Sequence, residues 1–129
     1  MAELRMTSLS VGKIIHKVLT EDETISASVT KVFPIVTDKA VLPYIAYRRV
    51  SHDPNVNKVS NPDATRVEVA VFAADYEKSI ELAEAVRAAL DGKKAELNGL
   101  KMRICYFADG EEGYQDDAFV QKLVFTIKV

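Results

Sequence analysis

Thr65-Arg-Val-Glu-Val-Ala-Val-Phe-Ala-Ala-Asp-Tyr-Glu-Lys-Ser79 decides the fold, because the hydrophobic period changes within it. Val67, Val69, Val71 and Ala73 alternate with Arg66, Glu68, Ala70 and Phe72, which predicts a strand over Thr65 to Ala74 with one buried and one mixed face. From Asp75 the period lengthens. Tyr76, Ile80, Ala83, Val86 and Leu90 trace the apolar stripe of a helix that Asp75 is placed to cap and that ends before Gly92. Glu77, Glu81 and Glu84 fall on its opposite, solvated side.

Upstream, Tyr44 to Ser51 is rich in aromatic and β-branched residues and predicts a second strand, with Pro43 at its start or on an edge. Val11, Ile14, Ile15, Val18 and Leu19 recur on one helix face, with Thr7 or Ser8 as the cap. The pattern loosens after Thr20 to Thr24, and Lys31 to Val36 reads as a short extended piece. Downstream, Leu100 to Ala108 alternates again, with Leu100, Met102, Ile104 and Tyr106 on one side. Ala118 to Val129 is a long final strand, paired with it as a hairpin across Asp109 to Asp117. The order predicts an α+β fold: a largely antiparallel four- to five-stranded sheet with two helices packed on one face.

The chain of 129 residues is the usual size of one domain, expected to span 1–129. With 48% hydrophobic and 28% charged residues its composition is that of a soluble globular protein. A formal charge of −2 gives no electrostatic footprint for wrapping nucleic acid or docking on an anionic membrane, so neither sequence-specific DNA binding nor membrane association is expected. No stretch approaches the roughly 20 apolar residues of a membrane-spanning helix. A lone cysteine, Cys105, and an amino terminus without a signal peptide's apolar core fit a reducing cytoplasm.

Chemical motifs are missing from the sequence: it holds no glycine-rich phosphate loop, dinucleotide fingerprint, nucleophile elbow or His-rich metal signature. His16 lies beside an apolar helix stripe, His52 in a polar stretch and Cys105 on a strand, so local spacing ties none of them into a nucleophile–base pair. No catalytic, cofactor-binding or metal-ligating residue is assigned. The acidic segment Asp109-Gly-Glu-Glu-Gly-Tyr-Gln-Asp-Asp117 reads as a hydrated hairpin tip. The rival is an oxygen-ligand site for a divalent ion, although the spacing is not that of the helix-loop-helix calcium motif. Arg48 and Arg49 point to opposite faces of their strand, which puts at least one at the surface or in an interface.

Two features point to assembly. Ser51 to Ala64, with Pro54, Pro62 and three Asn residues, is long for a connection when most run about 4 to 6 residues. It is either a flexible hairpin or an arm that orders against a neighbouring subunit. The sheet face away from the helices is read as carrying Ala70, Phe72, Cys105, Phe107, Val120 and Val124 among Arg66, Glu68, Arg103, Lys122 and Lys128. Its cover is either the amino-terminal segment or another chain. The candidate assembly surface is therefore Asp53, Asn55, Val56, Lys58 and Val59 on the connection, Phe72, Arg103, Phe107 and Lys122 on the sheet, and Glu111, Glu112 and Tyr114 on the hairpin.

Three stretches carry a resemblance: Val41-Leu-Pro-Tyr-Ile-Ala-Tyr-Arg-Arg-Val50, Arg66 to Ser79, and Ala83-Glu-Ala-Val-Arg-Ala-Ala-Leu-Asp-Gly92. Together they look like the tail-completion family of siphophage-like tailed phages, a family related in architecture to tail terminators and formerly a domain of unknown function. The resemblance covers nearly the whole chain and rests on patterns of fold: Pro43 and Tyr44 opening a strand, Asp75 and Tyr76 opening a helix, and Leu90-Asp-Gly92 ending it. It implies a phage or prophage virion structural protein at the head–tail junction, made in the bacterial host cytoplasm, with no enzymatic activity and no cofactor. Copies would close into a ring, commonly hexameric, between tail-tube and head-connector proteins. DNA would only pass through, and an acidic lumen would repel it over a Debye length of about 8 to 10 Å. The rival functions are a small metal-dependent α+β enzyme using the acidic segment and an adaptor domain that binds a peptide by strand addition.

Overall fold

The structure is a computed structural model that describes residues 6–35, 40–53 and 64–129, with residues 52 and 53 described by backbone alone. Among the described residues there are three α-helices, α1 (Val11–Glu21), α2 (Glu23–Ser28) and α3 (Tyr76–Leu90). The strands are β1 (Val32–Pro34), β2 (Tyr44–Asp53), β3 (Ala64–Ala73), β4 (Ala95–Leu97), β5 (Leu100–Met102), β6 (Ile104–Gln115) and β7 (Ala118–Lys128). Five strands form one sheet in the order β1-β2-β3-β7-β6, antiparallel except for the β1–β2 pair, and β4 and β5 form a separate two-stranded sheet. This is the expected α+β architecture, with β6 an edge strand.

The core lies between the helices and one face of the sheet. Val11, Ile14, Ile15 and Leu19 of α1 are fully buried, as are Val67, Val69 and Val71 of β3 and Phe125 and Ile127 of β7. Each such side chain contributes about 1.5–3 kcal/mol by leaving water. Gly12 lets α1 approach β2 closely: a Cβ there would stand 3.3 Å from Cε2 of Tyr47. Thr7 caps a single 3-10 turn, Ser8–Ser10, its hydroxyl accepting from the Leu9 amide at 3.3 Å, and that turn leads into α1. Asp22 separates α1 from α2, its carboxylate accepting from the Ile25 amide at 3.0 Å. The sequence pattern gave no sign of α2, since six residues with one buried apolar group, Ile25, carry too little periodicity.

Three sequence expectations are corrected. The buried stripe of α3 is Ser79, Leu82, Val86 and Leu90, whereas Tyr76 and Ile80 are 42% and 36% exposed. Ser79 is small enough to sit against the sheet, and its hydroxyl is satisfied by the Tyr76 carbonyl at 2.7 Å. Leu100 to Ala108 is not one strand. β5 stops at Met102 after pairing with β4 around Asn98-Gly99, where both residues take positive φ (49° and 87°) as a tight hairpin turn requires. β6 restarts beyond Arg103, so the phase slips by one residue: Cys105 and Phe107 face the helices while Ile104 and Tyr106 turn outward. The acidic segment is likewise mostly strand. β6 pairs with β7 out to Gln115–Ala118, past one bulge at Ala108, and only Asp116 and Asp117 form the turn, at φ 52° and 60°.

Candidate assembly surface

The sheet face away from the helices carries its own small apolar cluster. Ala46, Ala70, Phe72, Ala118 and Val120 are buried there with Leu42 and Tyr44 packed against them. Tyr44 stacks on Phe72 at 4.6 Å and 11°, and Phe33 meets the Tyr44 ring edge-on at 5.8 Å. Part of the cover is thus the chain's own Leu42–Tyr44 segment, an alternative to the amino-terminal segment or a second chain. Farther along the same face Arg48 pairs with Glu68 at 3.1 Å. Arg49 points the other way and donates to the Leu9 carbonyl at 3.1 Å, so the two arginines do take opposite faces.

The candidate residues separate into several environments. Phe72 is 7% exposed and Phe107 is packed against Phe125 at 5.8 Å, with the Arg87 guanidinium 4.4 Å above its ring. Both are packed within the chain: Phe72 lies on the helix-free face as expected, covered by Tyr44, whereas Phe107, like Cys105, lies on the helix side because of the slip at Arg103, which corrects its placement. Glu111 and Lys122 oppose each other across β6 and β7, with Nζ and Oε1 3.8 Å apart. Glu112, one residue on, emerges on the other face. Its carboxylate accepts from the Tyr76 hydroxyl at 2.9 and 3.1 Å and from the Gln121 amide at 3.1 Å. Tyr114 is 60% exposed and meets the Phe119 ring at 4.9 Å. Arg103 is exposed at the far end of β6, where its backbone amide donates to the Lys128 carbonyl at 2.9 Å. Asp53 ends β2 opposite Ala64, and Asn55, Val56, Lys58 and Val59 lie outside the described residues.

Strand geometry also disperses the carboxylates. Asp109 and Glu111 leave one face of β6 and Glu112 the other, so the linear cluster does not converge. Among the described residues no group of three or more His, Cys, Asp or Glu side chains is placed to hold a metal ion. A depression of about 760 Å³ is an open groove lined by Lys17, Asp22, Lys93 and Lys94, where Lys17 donates to the Glu96 carbonyl at 3.1 Å. Cys105 is 2% exposed, and burial, aided by Asp91, pushes its thiol up to about 12, which leaves it neutral.

Two outward groups that the sequence pattern assigned to the core stand on β6 itself: Ile104, 43% exposed, and Tyr106, 47% exposed. Tyr76 and Ile80 of α3 are two more. For Ile104 and Tyr106 the distinguishing signal is the change of phase at Arg103, which one sequence does not mark. The proximal edge of β6 is closed by the chain itself. Gly92 donates to the Cys105 carbonyl at 2.7 Å, and the Phe107 amide donates to Asp91 at 3.0 Å. No strand pairs with the outer edge of β6 from Gly110 to Gln115 among the described residues.

Comparison with known proteins agrees with this architecture. A solved structure titled "Virion of native gene transfer agent (GTA) particle" contains a chain of similar fold, with a TM-score of 0.73 at 20% identity over 89% of this chain and 90% of that one. No curated protein matches significantly. The family model described as "Tail completion protein gp17" matches residues 13–129, from within α1 to the end of the chain. The chain therefore belongs to the tail completion family, and is a structural protein of a phage-type virion tail.

Proposed function

We propose that this protein completes the tail at the head–tail junction by closing with copies of itself into a ring, hexameric in the assembled virion. The observation that carries the reading is the family match over residues 13–129. The likeness of fold to a chain of a gene transfer agent virion supports it. Tail-tube and head-connector proteins are the neighbours of the ring, and DNA crosses it as cargo without sequence-specific contact. The protein works without catalysis and without a cofactor. It is made in the host cytoplasm before it joins the virion, and residues 1–129 act as one domain.

Arg103, Glu111, Glu112, Tyr114 and Lys122 supply the assembly surface, because Glu111, Glu112 and Tyr114 stand on the edge strand β6, Arg103 just precedes it and Lys122 lies beside it on β7. The connection that begins at Asp53 and carries Asn55, Val56, Lys58 and Val59 is assigned to the same role on its composition. The test is to image tails from particles made with and without the gene. Complete particles should show a ring of this protein between tube and connector, and particles without the gene should have tails of uncontrolled length or tails unable to join heads. Normal, head-joined tails in its absence would refute the reading.

A further inference from the structure

The two ends of β6 carry surfaces of opposite charge on opposite faces of the sheet. At the turn end, on the helix face, Tyr76 and Tyr114 flank Phe119 with ring centroids 5.8 and 4.9 Å away, and both tyrosines are exposed. Beside them stand Glu77 and Glu112, with Asp117 in the turn that follows Tyr114, all exposed. At the other end, on the helix-free face, the exposed pair Ile104 and Tyr106 is bordered by cations, with Asp109 on the side toward the turn. Lys128 lies opposite Ile104, and Arg66 follows Tyr106 and Thr126 in register across β7 and β3. Arg103 is exposed just before the strand. Among the described residues none of these three cations has an ion-pair partner.

Tyr106 and Tyr114 are eight residues apart, roughly 26 Å along an extended strand. That is about three Debye lengths at physiological salt, so the two charged rims do not neutralise each other within one molecule. An apolar centre with an acidic rim and an apolar centre with a basic rim are complementary surfaces. Because they lie at opposite ends and on opposite faces, one molecule can use both at once, each with a different neighbour. Repetition of such a head-to-tail contact produces a ring when the rotation closes, whereas a symmetric contact would stop at a dimer.

We infer that the occupant of the acidic tyrosine patch at the β6–β7 turn is the basic Ile104–Tyr106 patch of a second copy of this chain. The inference rests on the ring reading above and specifies which surfaces make it. Within the contact the turn-end carboxylates face arginine and lysine of the next subunit, and Tyr106 packs beside Tyr114 of its neighbour. Such charge pairing sets the direction of addition, since tip against tip and base against base are both repulsive.

The test uses two double variants of the full chain, both altered at exposed positions: R103E/Y106E at the base and Y114K/E77K at the turn. Retention of a cooperative thermal transition shows that each still folds. Native mass spectrometry, with negative-stain microscopy on purified tail tubes, reads the assembly. Wild type should form rings, each variant alone should lose them, and a one-to-one mixture should regain species of two or more subunits that weaken as salt is raised. Rings that persist in either variant, or a mixture that stays as silent as its components, would overturn the assignment and leave the ring reading standing. Wild type that never associates, even on tail tubes, would overturn both.

Discussion

The hydroxyl of Tyr76, the first residue of α3, lies 2.9 Å from Oε2 of Glu112 on β6 and ties the start of the helix to the distal half of the edge strand. The hydrogen bond to Glu112 is the main reason the phenol is held above its usual range, followed by desolvation and the negative charges of Glu112 and Glu77. A raised phenol pKa means that the folded state favours the protonated form. The contribution is complete below the unfolded value of 10.0 and is lost as pH climbs through the folded value. Glu112→Gln should therefore lower the midpoint of Tyr76 ionisation, followed by phenolate absorbance with Tyr76→Phe as the subtraction control. An unchanged midpoint would mean that the bond does not persist in solution.

Cys105 tests the core between α3 and the sheet. Its thiol is pushed from 9.0 to about 12, which cuts the reactive thiolate about a thousandfold at neutral pH. The native protein should react with a thiol reagent at least that much more slowly than the denatured chain. Rapid modification without loss of structure would show that this end of β6 opens.

Phe72 and Tyr106 separate packing from assembly. Both lie on the helix-free side, yet Phe72 is 7% exposed and stacked on Tyr44, while Tyr106 is 47% exposed. Phe72→Ala should cost the subunit about 3 kcal/mol in denaturant unfolding. Tyr106→Ala should stay within about 0.5 kcal/mol. Equal costs would contradict the burial assigned to this face.

Asp75 and the turn residues give two backbone tests. Asp75 accepts from the Lys78 amide at 2.9 Å, so Asp75→Ala should destabilise the fold by about 1 kcal/mol in urea denaturation. Asp117 sits at φ 60°, where glycine carries no Cβ penalty. Asp117→Gly should raise the unfolding midpoint, with a gain of about 0.5 kcal/mol. A loss would argue against the two-residue turn.

Much of this fold was legible because long periodic segments report their own burial. Val67, Val69 and Val71 announce one sheet face, and Asp75 followed by a 15-residue helix needs no partner to be recognised. The errors arose where the phase changes without a marker. Arg103 sits between β5 and β6 and reverses inside and outside as far as the bulge at Ala108, so Ile104 and Tyr106 read as core and Cys105 and Phe107 as cover. The run from Asp109 to Asp117 reads as a loop on composition, but pairing with the strongly β-forming β7 overrides it. The Tyr76–Glu112 and Tyr44–Phe72 contacts join residues 36 and 28 positions apart, beyond any local pattern. The surface on β6 was therefore only partly visible: its charges could be read, but not the faces they occupy.

The decisive measurement is electron cryo-microscopy of the assembled virion at a resolution that traces this chain. The account expects a closed ring of copies at the head-proximal end of the tail tube, each β6–β7 turn meeting the Ile104–Tyr106 region of the next subunit. A single copy, or a position elsewhere on the tail with those surfaces turned to solvent, would contradict it.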